Sequence, residues 1–126
     1  MSDIEKCLDA KAVLGTIILC GSMLEGILYG VISKYPEEER VKASPKDKSG
    51  KIKDFNDWKL NDFIEVARKI GFIDEDVKQF SHTLRTFRNY IHPEKQAREQ
   101  PNPTEDTVEL FLKVLKMAIS QISKRV

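Results

Sequence analysis

The segment VKQFSHTLRTFRNYIH, residues 77–92, carries the clearest structural signal in the 126-residue chain. Its apolar residues recur every three or four positions, which is the spacing of one face of an α-helix. At 100° per residue they fall within an arc of about 80°, the width expected of a stripe that faces a core. These residues are Val77, Phe80, Leu84, Phe87 and Ile91. The segment therefore predicts an amphipathic helix that packs against other helices.

Start and stop signals place two helices before this segment. The first is predicted from about Asp3 to Lys34, because a proline that cannot continue a helix follows two positions later. The second is predicted from an N-cap at Asn61 to a C-cap at Gly71. Residues 36–56 between them are polar and rich in lysine, which predicts an exposed loop.

The helix that holds residues 77–92 is predicted to begin after an N-cap at Asp74 and to end at Pro93. A fourth helix, again apolar on one face, follows a cap at Thr104. No run of useful length alternates with period two, and no internal repeat is visible. The sequence therefore predicts a single all-α domain over residues 1–126, a four-helix bundle-like fold with enough length for one core.

Residues 12–32 form the most apolar part of the first helix, and Glu25 is their only charge. Their length and the Gly26–Gly30 pair are features of a transmembrane helix with a dimerisation face. A charge near the middle of such a span costs at least ~2.5 kcal/mol, and both flanks are polar. We therefore expect no membrane partner. The stretch is instead predicted to be a central helix, buried on most sides, whose small residues let a neighbouring helix or a second copy of the chain approach.

The cysteines and the first residues favour a reduced, cytoplasmic protein. Cys7 and Cys20 would lie about 20 Å apart on one helix, which is too far for an intrachain disulfide. Residues 1–5 carry no basic segment of the kind that begins a signal peptide. The common nucleotide-binding and zinc-binding motifs do not occur in the sequence, so we expect no cofactor and no metal.

The net charge of +1 conceals an uneven distribution along the chain. Residues 77–98 and residues 42–53 each carry a net charge of +4, whereas residues 61–76 are acidic. A near-neutral total argues against a chain that coats nucleic acid indiscriminately, but it is compatible with a narrow basic cleft.

A polar stripe runs beside the apolar stripe of residues 77–92 and contains no carboxylate. Its members are Lys78, Ser81, Arg85, Arg88, Asn89 and His92. Arginine presents a charged fork of donors that matches phosphate oxygens, and histidine can move a proton near neutral pH. Asparagine can position a hydroxyl group or a phosphate oxygen. The stripe is therefore a candidate site for a phosphodiester.

A structural role for the same residues also agrees with their spacing. Arg85 and Arg88 could form ion pairs with acidic residues of the second helix, and His92 could cap the end of its own helix. His82 lies at the edge of the stripe and is predicted to be a surface residue. Trp58 is predicted to pack where the loop meets the second helix.

On these residues the sequence resembles the HEPN domains, small four-helix domains of bacterial toxins and defence proteins. Their signature is an arginine followed, after a short spacer, by a histidine near the end of a helix, and Arg85 and His92 match it with six residues between them. The polar residue that often follows the arginine stands after Arg88 instead, as Asn89, so each arginine matches part of the signature. The first helix, with Gly-Ser-Met-Leu-Glu-Gly at 21–26, resembles the family's core and dimer helix.

The resemblance implies metal-independent endoribonuclease activity at the cleft of a homodimer, formed through the first and third predicted helices. A ribose 2′-hydroxyl attacks the neighbouring phosphate in this chemistry, with Arg85 and His92 as the catalytic residues. The substrate-binding residues are then Arg88, Asn89, Lys78 and Ser81. A two-fold axis would place two copies of each group in one basic cleft and so supply both a base and an acid. The expected partners are RNA and a cognate antitoxin or another protein.

Many members of the family do not cleave RNA and act as RNA-binding or protein-binding modules, so the sequence leaves enzymatic activity open. The main alternative is a non-catalytic dimerisation or adaptor module whose basic stripe pairs with an acidic partner. A third interpretation is an unrelated helical bundle, in which both arginines are bound to carboxylates.

Overall fold

The structure, a computed structural model, describes residues 3–90 and 104–125, and the secondary structure in these ranges is helical. The helices are α1 (Asp3–Ser33), α2 (Glu37–Ala43), α3 (Leu60–Ile70), α4 (Glu75–Tyr90) and α5 (Glu105–Arg125), with a short 3₁₀ turn at Phe55–Asp57. The prediction of an all-α fold is therefore confirmed. The short helix α2 lies inside the stretch that the sequence predicts as loop.

The four long helices enclose one hydrophobic core. Helix α1 packs against α3, α4 and α5, and α4 packs against both α3 and α5. Side chains with at most 1% exposure come from all these helices: Ile17, Leu24, Leu28, Ile32, Ile64, Val66, Ala67, Val77, Leu84 and Ala118. The apolar stripe of α4 is buried at Val77 and Leu84, whereas Phe80, which lies toward the Phe87 side of the stripe, is 44% exposed, so its predicted burial is wrong. Ile91 lies outside the described residues.

Two of the predicted helix caps around α3 and α4 are confirmed, and one is wrong. Asp74 caps α4, since its Oδ1 accepts a hydrogen bond from the Val77 amide at 2.9 Å. Gly71 ends α3 in the left-handed region, with φ of +97°. Asn61, however, lies inside α3, because the buried Asp62 carboxylate accepts a hydrogen bond from the Lys59 amide at 2.9 Å and so starts the helix at Leu60, with Lys59 as the N-cap.

Helix α1 is buried on one face only, so the prediction of burial on most sides is wrong for the single chain. Only 33% of its most apolar window is buried, and Leu19 and Met23 on the opposite face are 58% and 45% exposed. A Cβ added at Gly15 or Gly26 would meet nothing within 4 Å. Among the described residues this is the one helix long and apolar enough to cross a membrane, by length and composition.

Replacement of Gly71 by alanine is expected to lower the free energy of unfolding by about 1–2 kcal/mol, because a Cβ is disfavoured at positive φ. The added Cβ would also lie 2.6 Å from Nη2 of Arg125, whose Nε donates a hydrogen bond to the Gly71 carbonyl at 3.0 Å. Gly50→Ala is the matched control, since Gly50 also has positive φ but open space around it. Urea denaturation should show a larger loss for Gly71→Ala; equal losses would contradict a role for the Arg125 contact.

Candidate functional site

Three of the predicted site residues lie together, in a cleft of about 400 Å³ between α1, α4 and the start of α3. They are Arg85, Arg88 and Asn89, all on the last turns of α4. The complete lining of this cleft is Glu25, Trp58, Lys59, Leu60, Asn61, Arg85, Arg88 and Asn89. The cleft thus has three cationic side chains and one carboxylate.

Arg88 of α4 binds a carboxylate on α1, that of Glu25, which the sequence does not predict as its partner. Its Nη1 donates a hydrogen bond to Oε2 of Glu25 at 3.1 Å, and its Nη2 lies 3.4 Å from Oδ1 of Asn89. The side chain is 21% exposed. The predicted alternative partners, acidic residues of the second predicted helix, do not bind Arg88 in the structure. A guanidinium has five N–H donors, so these two contacts leave donors available to a phosphate.

Gly21 makes this arrangement possible. A Cβ at position 21 would lie 2.5 Å from Cδ of Arg88, which is closer than two carbon atoms can approach. The absence of a side chain therefore lets the arginine lie against the backbone of α1 and reach Glu25, one helical turn further on. The small-residue segment 21–26 thus has a local function in shaping the cleft.

Arg85 has no carboxylate partner among the described residues. Its Nε donates a hydrogen bond of 3.4 Å to Nδ1 of His82, within α4. One interpretation of the sequence pairs Arg85 with acidic residues of α3, and the structure does not show this pair. The α3 carboxylate that faces α4 belongs to Glu65, which pairs with other groups. The guanidinium of Arg85, like the ammonium group of Lys59, therefore has no ion-pair partner in the described ranges.

His82 is not the surface residue that the sequence predicts. Its side chain is 18% exposed, and its Nε2 lies 3.3 Å from Oε1 of Glu65. Burial lowers the pKa of His82 below its usual value of 6.5, with Arg85 and Lys78 adding repulsion, while the Glu65 carboxylate partly offsets the change. Since Nδ1 accepts from Arg85, the proton of the neutral ring is assigned to Nε2.

Two predicted substrate-binding residues do not join the cleft. Nζ of Lys78 lies 3.1 Å from Oε2 of Glu65 and 3.8 Å from Oε1 of Glu75. Ser81 is fully buried, and its Oγ has no hydrogen-bond partner among the described groups. The polar stripe is therefore divided: one part binds α3 and the core, and the other part faces the cleft. His92, the predicted catalytic histidine, lies outside the described residues.

The structure adds residues from two other elements to the site. Lys59 and Asn61 come from the start of α3, and Glu25 comes from α1. The sequence signal for Glu25 is its position as the only charge in an apolar stretch. Trp58 packs at the entry to α3, as predicted, with its ring centroid 4.9 Å from that of Phe55 and its Nε1 donating to the Lys53 carbonyl at 3.4 Å.

Protonation of His82 is expected to make stability depend on pH. The unfolded histidine gains a proton as the pH falls through 6.5, whereas the folded one, with its lowered pKa, resists protonation until lower pH. The contribution of His82 to the free energy of unfolding is therefore complete above pH 6.5 and is lost as the pH falls below that value. Urea denaturation at about pH 7.5 and about pH 5.5 should show a smaller difference for His82→Gln than for wild type. His92→Gln is the control, and a loss of pH dependence in that variant alone would contradict the assignment to His82.

Within the described ranges, histidine, cysteine and acidic side chains do not gather in groups that could hold a metal ion. No family model, curated protein or solved structure matches the chain. The cleft and its chemistry are therefore the basis for assigning a function.

Proposed function

We propose that the protein is a HEPN-like RNA-binding protein and that the cleft between α1, α3 and α4 holds the phosphate backbone of the RNA. The observation that supports this most is the convergence of Arg85, Arg88 and Asn89 on one cleft, which Lys59 also lines. Two guanidinium forks and an ammonium group are donors suited to phosphodiester oxygens, and the Asn89 amide adds a neutral donor.

The charge balance of the cleft supports binding of a small number of phosphates. Glu25 neutralises part of the charge of Arg88, whereas Arg85 lacks a carboxylate partner in the described ranges. A polyanion would therefore contact Arg85 and Lys59 without displacing an ion pair, and would share Arg88 with Glu25. This favours localised contacts in one cleft over uniform coating of the surface.

The proposal extends to cleavage through the resemblance to HEPN domains, in which Arg85 and His92 are the catalytic pair. In that chemistry a base removes the proton of the ribose 2′-hydroxyl, and an acid protonates the leaving 5′-oxygen. The arginines would stabilise the charge that develops on the phosphate. A toxin or defence role, with an antitoxin as a further partner, belongs to the same proposal.

Incubation of labelled single-stranded RNA with the purified protein in EDTA tests both RNA binding and RNA cleavage. Binding is followed by fluorescence anisotropy and cleavage by gel electrophoresis. Cleavage by wild type but not by His92→Ala would support a metal-independent endoribonuclease. Binding by both proteins without cleavage would support an RNA-binding module and contradict the catalytic role, and absence of binding would contradict the proposal.

The predicted homodimer is part of the proposal, and the exposed apolar face of α1 supports it. Over residues 12–23 the exposed face of this helix carries no charge and displays Ile18, Leu19 and Met23. An uncharged face of this kind can pair with its own copy without burying unpaired charge. The same surface favours the second candidate function, a dimerisation or adaptor module.

Sedimentation equilibrium at micromolar concentration should give a dimer for wild type and a monomer for Leu19→Glu; a monomeric wild type would contradict the dimer.

A further inference from the structure

A cluster of aromatic side chains adjoins the cleft. Trp58, which lines the cleft, has its ring centroid 4.9 Å from that of Phe55 and 5.4 Å from that of Phe63. The ring of Tyr29 in turn lies 5.3 Å from the Phe55 centroid and 5.9 Å from the Phe63 centroid. These four rings form a continuous path of contacts from the wall of the cleft to the surface of α1.

Tyr29 is the exposed member of this aromatic cluster. It is 50% exposed, whereas Trp58 and Phe63 are 7% and 3% exposed. It follows Glu25 by four residues on α1, so the two side chains lie one above the other, about 6 Å apart along the helix axis. The exposed ring is thus next to the carboxylate that marks one edge of the cleft.

A cation outside the cleft also contacts the cluster. The guanidinium carbon of Arg40 is 4.6 Å from the centroid of the Phe55 ring. Arg85 and Arg88 thus line the cleft that Trp58 also lines, and Arg40 lies over the Phe55 ring of the same cluster. Alternation of cations with an exposed aromatic ring is the arrangement by which proteins bind single strands, with phosphates on the cations and bases on the rings.

We propose that Tyr29 stacks on an unpaired nucleobase of the strand whose phosphate occupies the cleft, so that the ligand is single-stranded RNA. This inference rests on the proposed function. A duplex cannot satisfy the arrangement, because its bases are stacked on each other and shielded from a side chain at the protein surface. Every base has a π face, so this contact selects unpaired RNA with little preference for sequence.

The test compares Tyr29→Leu, which removes the aromatic ring, with Tyr29→Phe, which retains it. The ligands are a labelled unstructured oligoribonucleotide of about ten nucleotides and a duplex of the same length. We expect Tyr29→Leu to weaken binding of the single strand about tenfold and Tyr29→Phe to bind within about twofold of wild type. The dependence of affinity on salt should not change, since the ring carries no charge.

Phe80→Leu is the matched control, because Phe80 is an aromatic residue of similar exposure, 44%, that does not line the cleft. It should bind both ligands as wild type does. Unchanged binding of the single strand by Tyr29→Leu would overturn this inference and leave the proposed function intact. Equal weakening by Tyr29→Phe, or tighter binding of the duplex than of the single strand by wild type, would also overturn it. Failure of wild type to bind either RNA would instead contradict the proposed function itself.

Discussion

The double variant Arg85→Gln/Arg88→Gln is expected to bind single-stranded RNA at least about 100-fold more weakly than wild type. Each lost charge-assisted contact to a phosphate contributes about 1.5–3 kcal/mol, and about 2.8 kcal/mol corresponds to 100-fold. Because both arginines line the same cleft, the two losses act on one ligand. The slope of the logarithm of affinity against the logarithm of salt concentration should fall by about 1.4, or about 0.7 for each phosphate contact.

A matched double variant separates this effect from a general change in charge. Arg68→Gln/Lys113→Gln removes two positive charges from exposed positions outside the cleft. It should lose less than about threefold in affinity, since exposed charges at a distance are largely screened by salt. Circular dichroism melting shows whether both variants remain folded. A similar loss of affinity in the two double variants would contradict binding in the cleft.

Leu28→Ala should lower the free energy of unfolding by about 3 kcal/mol. Leu28 is fully buried on the inner face of α1, where it is part of the hydrophobic core. Truncation removes buried apolar surface and leaves a cavity, because neighbouring side chains in a close-packed core relax only in part. Urea denaturation followed by circular dichroism measures this change.

The same substitution at an exposed leucine provides the comparison. Leu110 on α5 is 50% exposed, so Leu110→Ala should change the free energy of unfolding by less than about 0.5 kcal/mol. A loss below about 1 kcal/mol for Leu28→Ala would mean that the inner face of α1 does not pack as described. The position of Glu25 and Gly21, on the same helix, would then lose its structural support.

The helices of this fold are largely predictable from sequence because their signals are local. Asp74, Gly71 and Thr104 act within one turn of the helix ends that they cap, and the Oγ1 of Thr104 accepts from the Thr107 amide at 3.4 Å. The misplaced start of α3 has a related cause. A capping side chain at Asn61 and the carboxylate of Asp62 are competing local signals, and the buried Asp62, paired with Lys53, determines the start.

The cleft is only partly predictable, since it depends on contacts between distant parts of the chain. Arg85, Arg88 and Asn89 are marked in the sequence by their shared helix face. The partner of Arg88 is 63 positions away, and it is selected by the close approach of α4 to α1 at Gly21. Helical periodicity also could not show that Ser81 faces the core, because the boundary of a buried arc depends on how neighbouring helices pack.

The folded structure reduces the charge that the polar stripe of α4 offers to a ligand. As a surface feature of one helix, this stripe would present the cations Lys78, Arg85 and Arg88 to solvent. In the folded chain Lys78 is paired with Glu65, and both arginines line a cleft that contains Glu25. The charge available to a ligand is therefore smaller, and better positioned, than the sequence alone suggests.

A titration that observes the arginine side chains themselves tests the central claim most directly. The Nε–Hε signals in a proton–nitrogen correlation spectrum can be assigned with single Arg→Lys variants and followed as unlabelled single-stranded RNA is added. The account predicts that the signals of Arg85 and Arg88 shift and saturate together, while those of Arg68 and Arg125 remain in place. Shifts confined to Arg68 or Arg125, or no shift in any arginine at saturating RNA, would contradict it.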